Sequence, residues 1–88
     1  MASCQELYLD NNQIGDVGLT ALASVLGSGA LDKLEILQLS DNQIGNQGMV
    51  ELSEALGKGA LDKIENIFLF GNPGNSEPVD KVLRERKK

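Results

Sequence analysis

The stretch that decides the fold is Leu34-Glu35-Ile36-Leu37-Gln38-Leu39-Ser40-Asp41-Asn42. Leu37 and Leu39 alternate with other residues, which is typical of a short strand with one buried face. The same pattern, L-x-x-L-x-L-x-x-N, begins thirty residues earlier at Cys4 and thirty residues later at Ile64. The sequence therefore predicts three strands of one kind. Each is followed by an asparagine, and these are Asn12, Asn42 and Asn72.

An internal repeat extends this pattern along the 88-residue chain. Residues 4–33 and 34–63 align without a gap and share 15 identical positions. A third copy stays in register as far as Asn72, where Pro73-Gly74 interrupts it. A fixed period of this kind is typical of repeat proteins, in which neighbouring units bury each other's apolar faces. We expect a repeat array over residues 1–75, made of units 4–33 and 34–63 and a partial unit 64–75.

Each full unit continues with a turn and an amphipathic helix. The turns contain Gly15-Asp16 and Gly45-Asn46, in which the glycine suits a positive φ and the next residue is placed to cap the helix. Apolar residues then recur with helical spacing until Gly27 and Gly57, which are expected to end the helices. These stripes are Leu19, Leu22, Ala23 and Leu26, then Met49, Leu52, Ser53 and Leu56.

The final segment predicts one more helix. Ser76 can cap it, and Pro78 falls in its first turn, where a missing amide is harmless. We expect residues 76–88 to form a C-terminal capping helix with its charged side chains outside. Its apolar stripe consists of Val79, Val82 and Leu83.

The repeated pattern resembles leucine-rich repeat proteins, specifically the ribonuclease-inhibitor-like class with a true helix in each repeat. The resemblance covers about residues 4–75. It implies an α/β fold, a right-handed solenoid with parallel strands on the concave side and helices on the convex side. A strand–helix–strand connection within one parallel sheet is right-handed on physical grounds as well. The three asparagines would then stack as a ladder, each bonding the loop backbone that follows its strand.

Composition argues against most catalytic and metal chemistry. Histidine is absent and Cys4 is the only cysteine, which removes Ser-His-Asp and Cys-His nucleophiles, histidine zinc sites and paired-cysteine motifs. We therefore expect no enzyme activity, no cofactor and no metal. The lone thiol, the absence of a signal peptide and the absence of a membrane-length apolar run favour a cytoplasmic protein without membrane contact. Cys4 fills the first apolar slot of its repeat and is expected to pack there.

The net charge of −5 is unevenly distributed. Residues 1–76 carry a net charge of −7, whereas residues 77–88 carry +2. An acidic body repels phosphate backbones, so nucleic acid is not expected as a partner. The segment Asp10–Gly15 resembles the opening of a calcium loop, but Ile14 cannot ligate and Ala21 stands where a bidentate Glu is needed.

Function is expected on the concave strand face, where the non-leucine positions point to solvent and line up between repeats. All three aromatic residues of the chain fall on these positions, and large apolar groups on a surface usually mark binding. The alternative is that the C-terminal segment shields the two phenylalanines. The predicted partner-binding residues are Glu6, Tyr8, Asp10, Ile36, Gln38, Ser40, Asn66, Phe68 and Phe70.

Three functional hypotheses follow. The first is a non-enzymatic protein–protein interaction module that binds a partner, preferably one with a basic patch, through the concave face. The second is structural: self-association through an open N-terminal sheet edge, or a repeat fragment of a larger leucine-rich repeat protein. The third is a regulator of a small GTPase, because proteins with similar repeats include GTPase activators, although none of that family's functional residues has a matching position here.

Overall fold

The computed structural model describes residues 5–86, in which strands and helices alternate. The order is β1 Glu6–Tyr8, α1 Gly15–Gly27, β2 Ile36–Gln38, α2 Asn46–Gly57, β3 Asn66–Phe68 and α3 Glu77–Arg86. The strands form one parallel sheet in the order β1-β2-β3. Leu37 pairs with Leu7 on one side and with Ile67 on the other, so paired residues lie one repeat apart. The expectation for Cys4 lies outside the described residues.

The core lies between the sheet and the helices. Leu37 and Leu39 of the central strand region are fully buried, as predicted from their alternation. The predicted helical stripes are also confirmed, except that Leu22 and Ser53 are only half-buried. The remaining stripe residues are buried: Leu19, Ala23, Leu26, Met49, Leu52 and Leu56.

Burial depends on position in the array. The middle repeat has a neighbour on each side, and its Leu37, Leu39 and Leu52 have no exposed surface. The counterparts of these three residues in the first and third repeats are only partly buried, although they also pack against the core. Neighbouring repeats therefore supply each other's core. The partly buried counterparts are Leu7, Leu9 and Leu22, then Ile67, Leu69 and Val82.

The turn after each strand contains a residue with a positive φ, and this residue stands at the same position in each repeat. This residue immediately precedes the asparagine and is Asn11 (φ 60°), Asp41 (φ 58°) or Gly71 (φ 76°). Glycine adopts this conformation without steric strain, and a β-carbon at Gly71 would displace the Asp41 carboxylate. The predicted positive φ is confirmed at Gly15 (65°) but is wrong at Gly45, where φ is −95° because the backbone is extended just before α2 begins.

The prediction that Asp16 caps its own helix is wrong. The N-terminus of α1 has no side-chain cap. Instead, Asp16 Oδ1 accepts hydrogen bonds from the N–H groups of Gly45 (2.7 Å) and Gly48 (3.0 Å), so it caps α2 in the next repeat. A β-carbon at Gly48 would lie 2.6 Å from this oxygen, so glycine permits the close approach. Asn46 does not cap its own helix either, but accepts the N–H of Asn75 (2.8 Å).

Helix α3 lies one repeat after α2 and packs against it. The hydroxyl of Ser76, which was predicted to cap this helix, donates to the Asp80 carboxylate (3.0 Å). The N–H of Glu77 is instead accepted by the side chain of Asn75 (3.0 Å). Asn75 is better placed for this role because its carbonyl oxygen reaches the amide two residues later.

Arg86 caps the C-terminal end of α2. Its guanidinium donates to the carbonyls of Leu56 (2.7 Å), Ala60 (2.6 Å) and Leu61 (2.8 Å). Leu56 lies in the last turn of α2, and Ala60 and Leu61 come shortly after it. The helix dipole also favours a cation at this end of the helix. Arg86 stands thirty residues after Leu56, so the third repeat carries an arginine where the middle repeat buries a leucine.

The cap between repeats can be tested with Asp16→Ala. We expect the free energy of unfolding to fall by about 1 to 2 kcal/mol, because the N–H groups of Gly45 and Gly48 lose their acceptor. The measurement is urea unfolding followed by circular dichroism. Asp62→Ala is the control, since it removes the same charge from an exposed residue. Equal losses in both variants would contradict the cap.

Candidate protein-binding face

The sheet places the nine predicted binding residues on one face. Strand side chains alternate between faces, and the leucines at odd positions are turned towards the helices. The even positions therefore share the opposite face of the sheet, which the sequence analysis expects to be concave. Two rows are in register across the strands, and backbone bonds between the strand ends align a third. The rows are Glu6, Ile36 and Asn66, then Tyr8, Gln38 and Phe68, then Asp10, Ser40 and Phe70.

Exposure differs sharply across this face. The side chains on the two outer strands are the more exposed, with Tyr8 at 59% and Phe70 at 74%. Ser40, which follows the middle strand, is only 7% exposed. A partner would therefore meet mainly the outer strands. Of the remaining predicted residues, Glu6, Asp10 and Asn66 are exposed, whereas Ile36, Gln38 and Phe68 are half-buried.

The polar groups of the middle strand are occupied by internal hydrogen bonds. The hydroxyl of Ser40 accepts the N–H of Phe70 (3.1 Å), and the side-chain oxygen of Gln38 accepts the N–H of Ser40 (2.9 Å). The bond between Ser40 and Phe70 holds the chain after β3 against the chain after β2 and so positions Phe70, whereas the bond between Gln38 and Ser40 is local. Ser40 thus shapes the face but offers little surface to a partner.

Phe68 and Phe70 form an aromatic pair at one side of the face. Their ring centroids are 6.2 Å apart and the rings are tilted by 32°. This geometry lies within the range in which aromatic rings attract each other. The alternative that the C-terminal segment shields both rings does not apply to Phe70, which remains mostly exposed.

Tyr8 and Glu6 form a second local group on the opposite side. The Tyr8 hydroxyl donates to Glu6 Oε1 (2.8 Å). This hydrogen bond raises the pKa of the Tyr8 phenol above its ordinary value, with smaller effects from desolvation and the Glu6 charge. The hydrogen bond links the Tyr8 and Glu6 side chains on the exposed surface of β1.

The predicted asparagine ladder is confirmed for Asn42 and Asn72, whose side chains bond across repeats, whereas Asn12 is exposed and its side chain bonds only within its own turn. Asn42 has no exposed surface. Its Nδ2 donates to the carbonyls of Leu9 (2.8 Å) and Ser40 (3.2 Å), and its Oδ1 accepts the N–H of Asn12 (3.1 Å). Asn72 makes corresponding bonds one repeat later. The ladder therefore holds the row that contains Ser40 and Phe70.

The helix side carries a different feature, which the sequence reasoning did not identify. An open groove of about 420 Å³ runs between α1 and α2. Polar side chains dominate its lining, including Thr20, Ser24, Glu51, Glu54 and Lys58. The sequence did not predict this groove because it forms only where α1 packs against α2.

The described part of the chain contains no alternative site for metal chemistry. Within residues 5–86, no group of three or more His, Cys, Asp or Glu side chains could hold a metal ion. Over the same residues, no helix combines the length and the apolar character that crossing a membrane requires.

Comparison with known proteins agrees with this repeated geometry. The model of the leucine-rich repeat family matches residues 5–23 and 32–53. Each match begins before a strand and extends into the following helix. Comparison with curated proteins gave no significant match. Leucine-rich repeats form a non-enzymatic family whose domains generally mediate protein–protein interaction. The matched segments coincide with the recurring strand–turn–helix unit and support a leucine-rich repeat protein.

Proposed function

We propose that this chain is a non-enzymatic interaction module that binds a protein partner through its concave strand face. The observation that carries the proposal is the exposure of Phe70, 74%, beside the half-buried Phe68. Aromatic side chains often dominate the affinity of protein interfaces because they bury a large area with few rotatable bonds. Tyr8, 59% exposed on the same face, supplies a second anchor.

The proposed partner carries a basic patch. Exposed carboxylates on or next to the face are Glu6, Asp10, Asp41 and Glu65, and residues 1–76 have a net charge of −7. Charges at the edge of an interface guide the approach of an oppositely charged partner. An arginine of that partner could also lie over the exposed ring of Phe70, since cations are attracted to aromatic faces.

The finer assignments of fold and location are proposals of the same kind. Helices of 13, 12 and 10 residues support the ribonuclease-inhibitor-like class, in which each repeat has a true helix. The handedness rule for parallel strands supports a right-handed solenoid. The hydrogen bonds from Arg86 to the end of α2 support a capping role for residues 76–88. The single cysteine supports a cytoplasmic location.

Phe70→Ala tests the concave face. We expect a loss of about 2 kcal/mol of binding free energy, which is about a thirtyfold weaker Kd, because truncation removes the most exposed aromatic anchor. The measurement is a calorimetric titration against the partner recovered by affinity capture and mass spectrometry. Phe70 is a better choice than Phe68, whose half-buried ring also contributes to folding.

Val17→Ala is the matched control. Val17 is 87% exposed on α1, outside the strand face, so its truncation also removes exposed apolar surface. We expect the control to bind like the parent chain. Unchanged binding of Phe70→Ala, together with loss of binding on changing Thr20 or Glu51 in the helix groove, would contradict the concave face and assign binding to the convex side.

A further inference from the structure

Phe70 lies at the edge of the sheet where each strand passes into its turn. It follows β3, and its carbonyl accepts the N–H of Asp41 (2.8 Å), which lies in the turn after β2. The Phe70 ring pairs with that of Phe68, yet the Phe70 side chain stays 74% exposed. Much of an aromatic face is therefore open to another molecule, next to the turn that contains Asp41.

Asp41 supplies an unpaired carboxylate next to Phe70. The carboxylate lies against the α-carbon of Gly71, at the place that a side chain of residue 71 would fill. Gly71 directly follows Phe70, so the carboxylate lies one residue from the exposed ring. Asp41 is exposed, and within residues 5–86 its carboxylate takes part in no hydrogen bond or ion pair. Its negative charge is therefore available to a cation of another molecule.

The backbone conformation of Asp41 accompanies this placement. Asp41 has φ 58°, in the left-handed region that few residues other than glycine, asparagine and aspartate adopt. Asn11 has the same conformation (φ 60°) in the first repeat, but its side chain bonds Asp10 in its own turn (3.3 Å). The side chain of Asp41 instead lies against the third repeat, where Phe70 is found.

The strands and their turns supply no cation to this carboxylate. Residues 1–32, 34–57 and 64–80 contain neither lysine nor arginine. The basic residues of the described part lie on α3 or in the connections from a helix to the next strand. Because the strands are parallel, these connections meet the sheet at its opposite edge. The basic residues are Lys33, Lys58, Lys63, Lys81, Arg84 and Arg86.

An arginine side chain matches this combination better than a lysine side chain. The guanidinium group is planar and weakly hydrated, so its face can lie on an aromatic ring while its edge donates two N–H groups to a carboxylate. The ammonium group of lysine is a compact, strongly hydrated charge without such a plane. The exposed Phe70 ring and the Asp41 carboxylate offer both kinds of contact side by side.

We propose that Phe70 and Asp41 form a subsite for one arginine side chain of the protein partner, with the guanidinium stacked on the ring and hydrogen-bonded to the carboxylate. This subsite rests on the proposed concave-face binding and names the chemistry by which that face selects its partner. Asp10 stands in the same row as Phe70 but two strands away, at roughly 10 Å. Its charge attracts the arginine without touching it.

The probe is a capped glycine–arginine–glycine peptide, added to the whole chain and followed by nuclear magnetic resonance. We expect the largest changes in amide chemical shift at Asp41, Phe70 and Gly71. A matched peptide with lysine should bind about threefold more weakly, because it loses the stacked plane. A peptide with citrulline keeps the shape of arginine without its charge and should bind about tenfold more weakly.

Asp41→Asn tests the carboxylate. Asparagine suits the left-handed backbone, as Asn11 shows at the same place in the first repeat, so the variant is expected to fold. The arginine peptide should bind about threefold more weakly, which is the usual size of an exposed charge pair. Asp10→Asn and Asp62→Asn are controls that remove the same charge from exposed residues, one on the face and one before β3. Each should change the Kd by less than about 1.5-fold, because salt screens charges at such distances.

Phe70→Leu tests the aromatic ring. Leucine keeps an apolar side chain at this exposed position but has no aromatic face. The arginine and lysine peptides should then bind equally, because the preference for arginine depends on stacking. A circular dichroism spectrum equal to that of the parent chain checks that the variant is folded.

Three results would overturn the subsite. Equal losses for Asp41→Asn and Asp10→Asn would show only a general attraction by acidic charge. Equal affinity of the parent chain for the arginine and lysine peptides would show that no group stacks on the ring. An arginine peptide that changes no amide shift near Phe70 would show that the subsite does not bind arginine.

The partner used in the Phe70→Ala titration separates this proposal from the proposed function. If Phe70→Ala and Asp41→Asn both weaken its binding, both proposals are supported. If Phe70→Ala weakens binding and Asp41→Asn does not, the concave face binds the partner without this arginine subsite. If neither variant weakens binding, concave-face binding is itself wrong, and the subsite that rests on it is wrong as well.

Discussion

Leu37→Ala is expected to lower the free energy of unfolding by about 3 to 5 kcal/mol, the upper range for truncating a buried leucine. Leu37 has no exposed surface and lies on the central strand, between Leu7 and Ile67. Truncation leaves a cavity that the flanking strands cannot close without losing their own register. Since total stability near 5 kcal/mol is usual for so small a domain, the expected result extends to complete unfolding.

Chemical unfolding followed by circular dichroism measures this loss, with Leu7→Ala as the matched control. Leu7 occupies the same position in the first repeat but is only half-buried. Its truncation removes the same atoms and should cost about 1 to 2 kcal/mol, because part of the site is already open to water. Leu37→Met keeps most of the volume and should cost less than about 1.5 kcal/mol. Equal losses for Leu37→Ala and Leu7→Ala would show that neighbouring repeats do not enclose the middle one.

Asn42→Ala is expected to lower the free energy of unfolding by about 2 to 3 kcal/mol. The substitution leaves the N–H of Asn12 without its acceptor and removes one of the two donors to each of the carbonyls of Leu9 and Ser40. Unpaired buried backbone groups cost about 1 to 3 kcal/mol, and water has no access to the fully buried site. The measurement is thermal and urea unfolding of the variant and the parent chain.

Asn12→Ala provides the control for the ladder. Asn12 is exposed, and its side chain bonds only the carbonyls of Leu9 and Asp10 in its own turn. Water can replace those bonds, so the expected loss is about 0.5 to 1 kcal/mol. A melting temperature of Asn42→Ala equal to that of the parent would show that the buried amide does not stabilise the array.

The repeating elements could be predicted from the sequence because their signals are local and recur. The alternation of Leu37 and Leu39 predicts a strand wherever it occurs, and the fixed period predicts that Asn12, Asn42 and Asn72 stand at equivalent places. The burial of Asn42 could be predicted because its repeat has a neighbouring repeat on each side, and the structure confirms it. Each of these inferences needs only the spacing of residue types and the requirement that one repeat covers the next.

The bonds between repeats could not be predicted in the same way. Capping rules consider residues within one helix, so they assign Asp16 to α1, whereas its carboxylate caps α2. Arg86 was expected to cover the outside of α3, whereas it donates to three carbonyls at the end of the preceding helix. Both partners are remote in sequence, and only the stacking of the repeats brings them into contact.

At the candidate site too, some features could be predicted from the sequence and others could not. The period alone aligned the nine face residues, and the sheet brings them together in three rows. The pattern could not show that Ser40 is used internally by the N–H of Phe70, which lies thirty residues away. It also left open whether Phe70 was shielded, since exposure depends on how α3 packs against α2.

Among the described elements, each strand pairs only with the neighbouring strands of the array and each helix packs only on the neighbouring helices: β1 with β2, β2 with β3, α1 with α2 and α2 with α3. The first and third repeats are thus joined solely through the second. Each bond of the ladder is made over one repeat step, so an excision of residues 34–63 would bring Asn12 and Asn72 to that same separation. The ladder therefore tolerates the duplication or deletion of one repeat, whereas the cap from Asp16 does not tolerate this deletion, because Pro78 stands one repeat after Gly48 and has no N–H to donate.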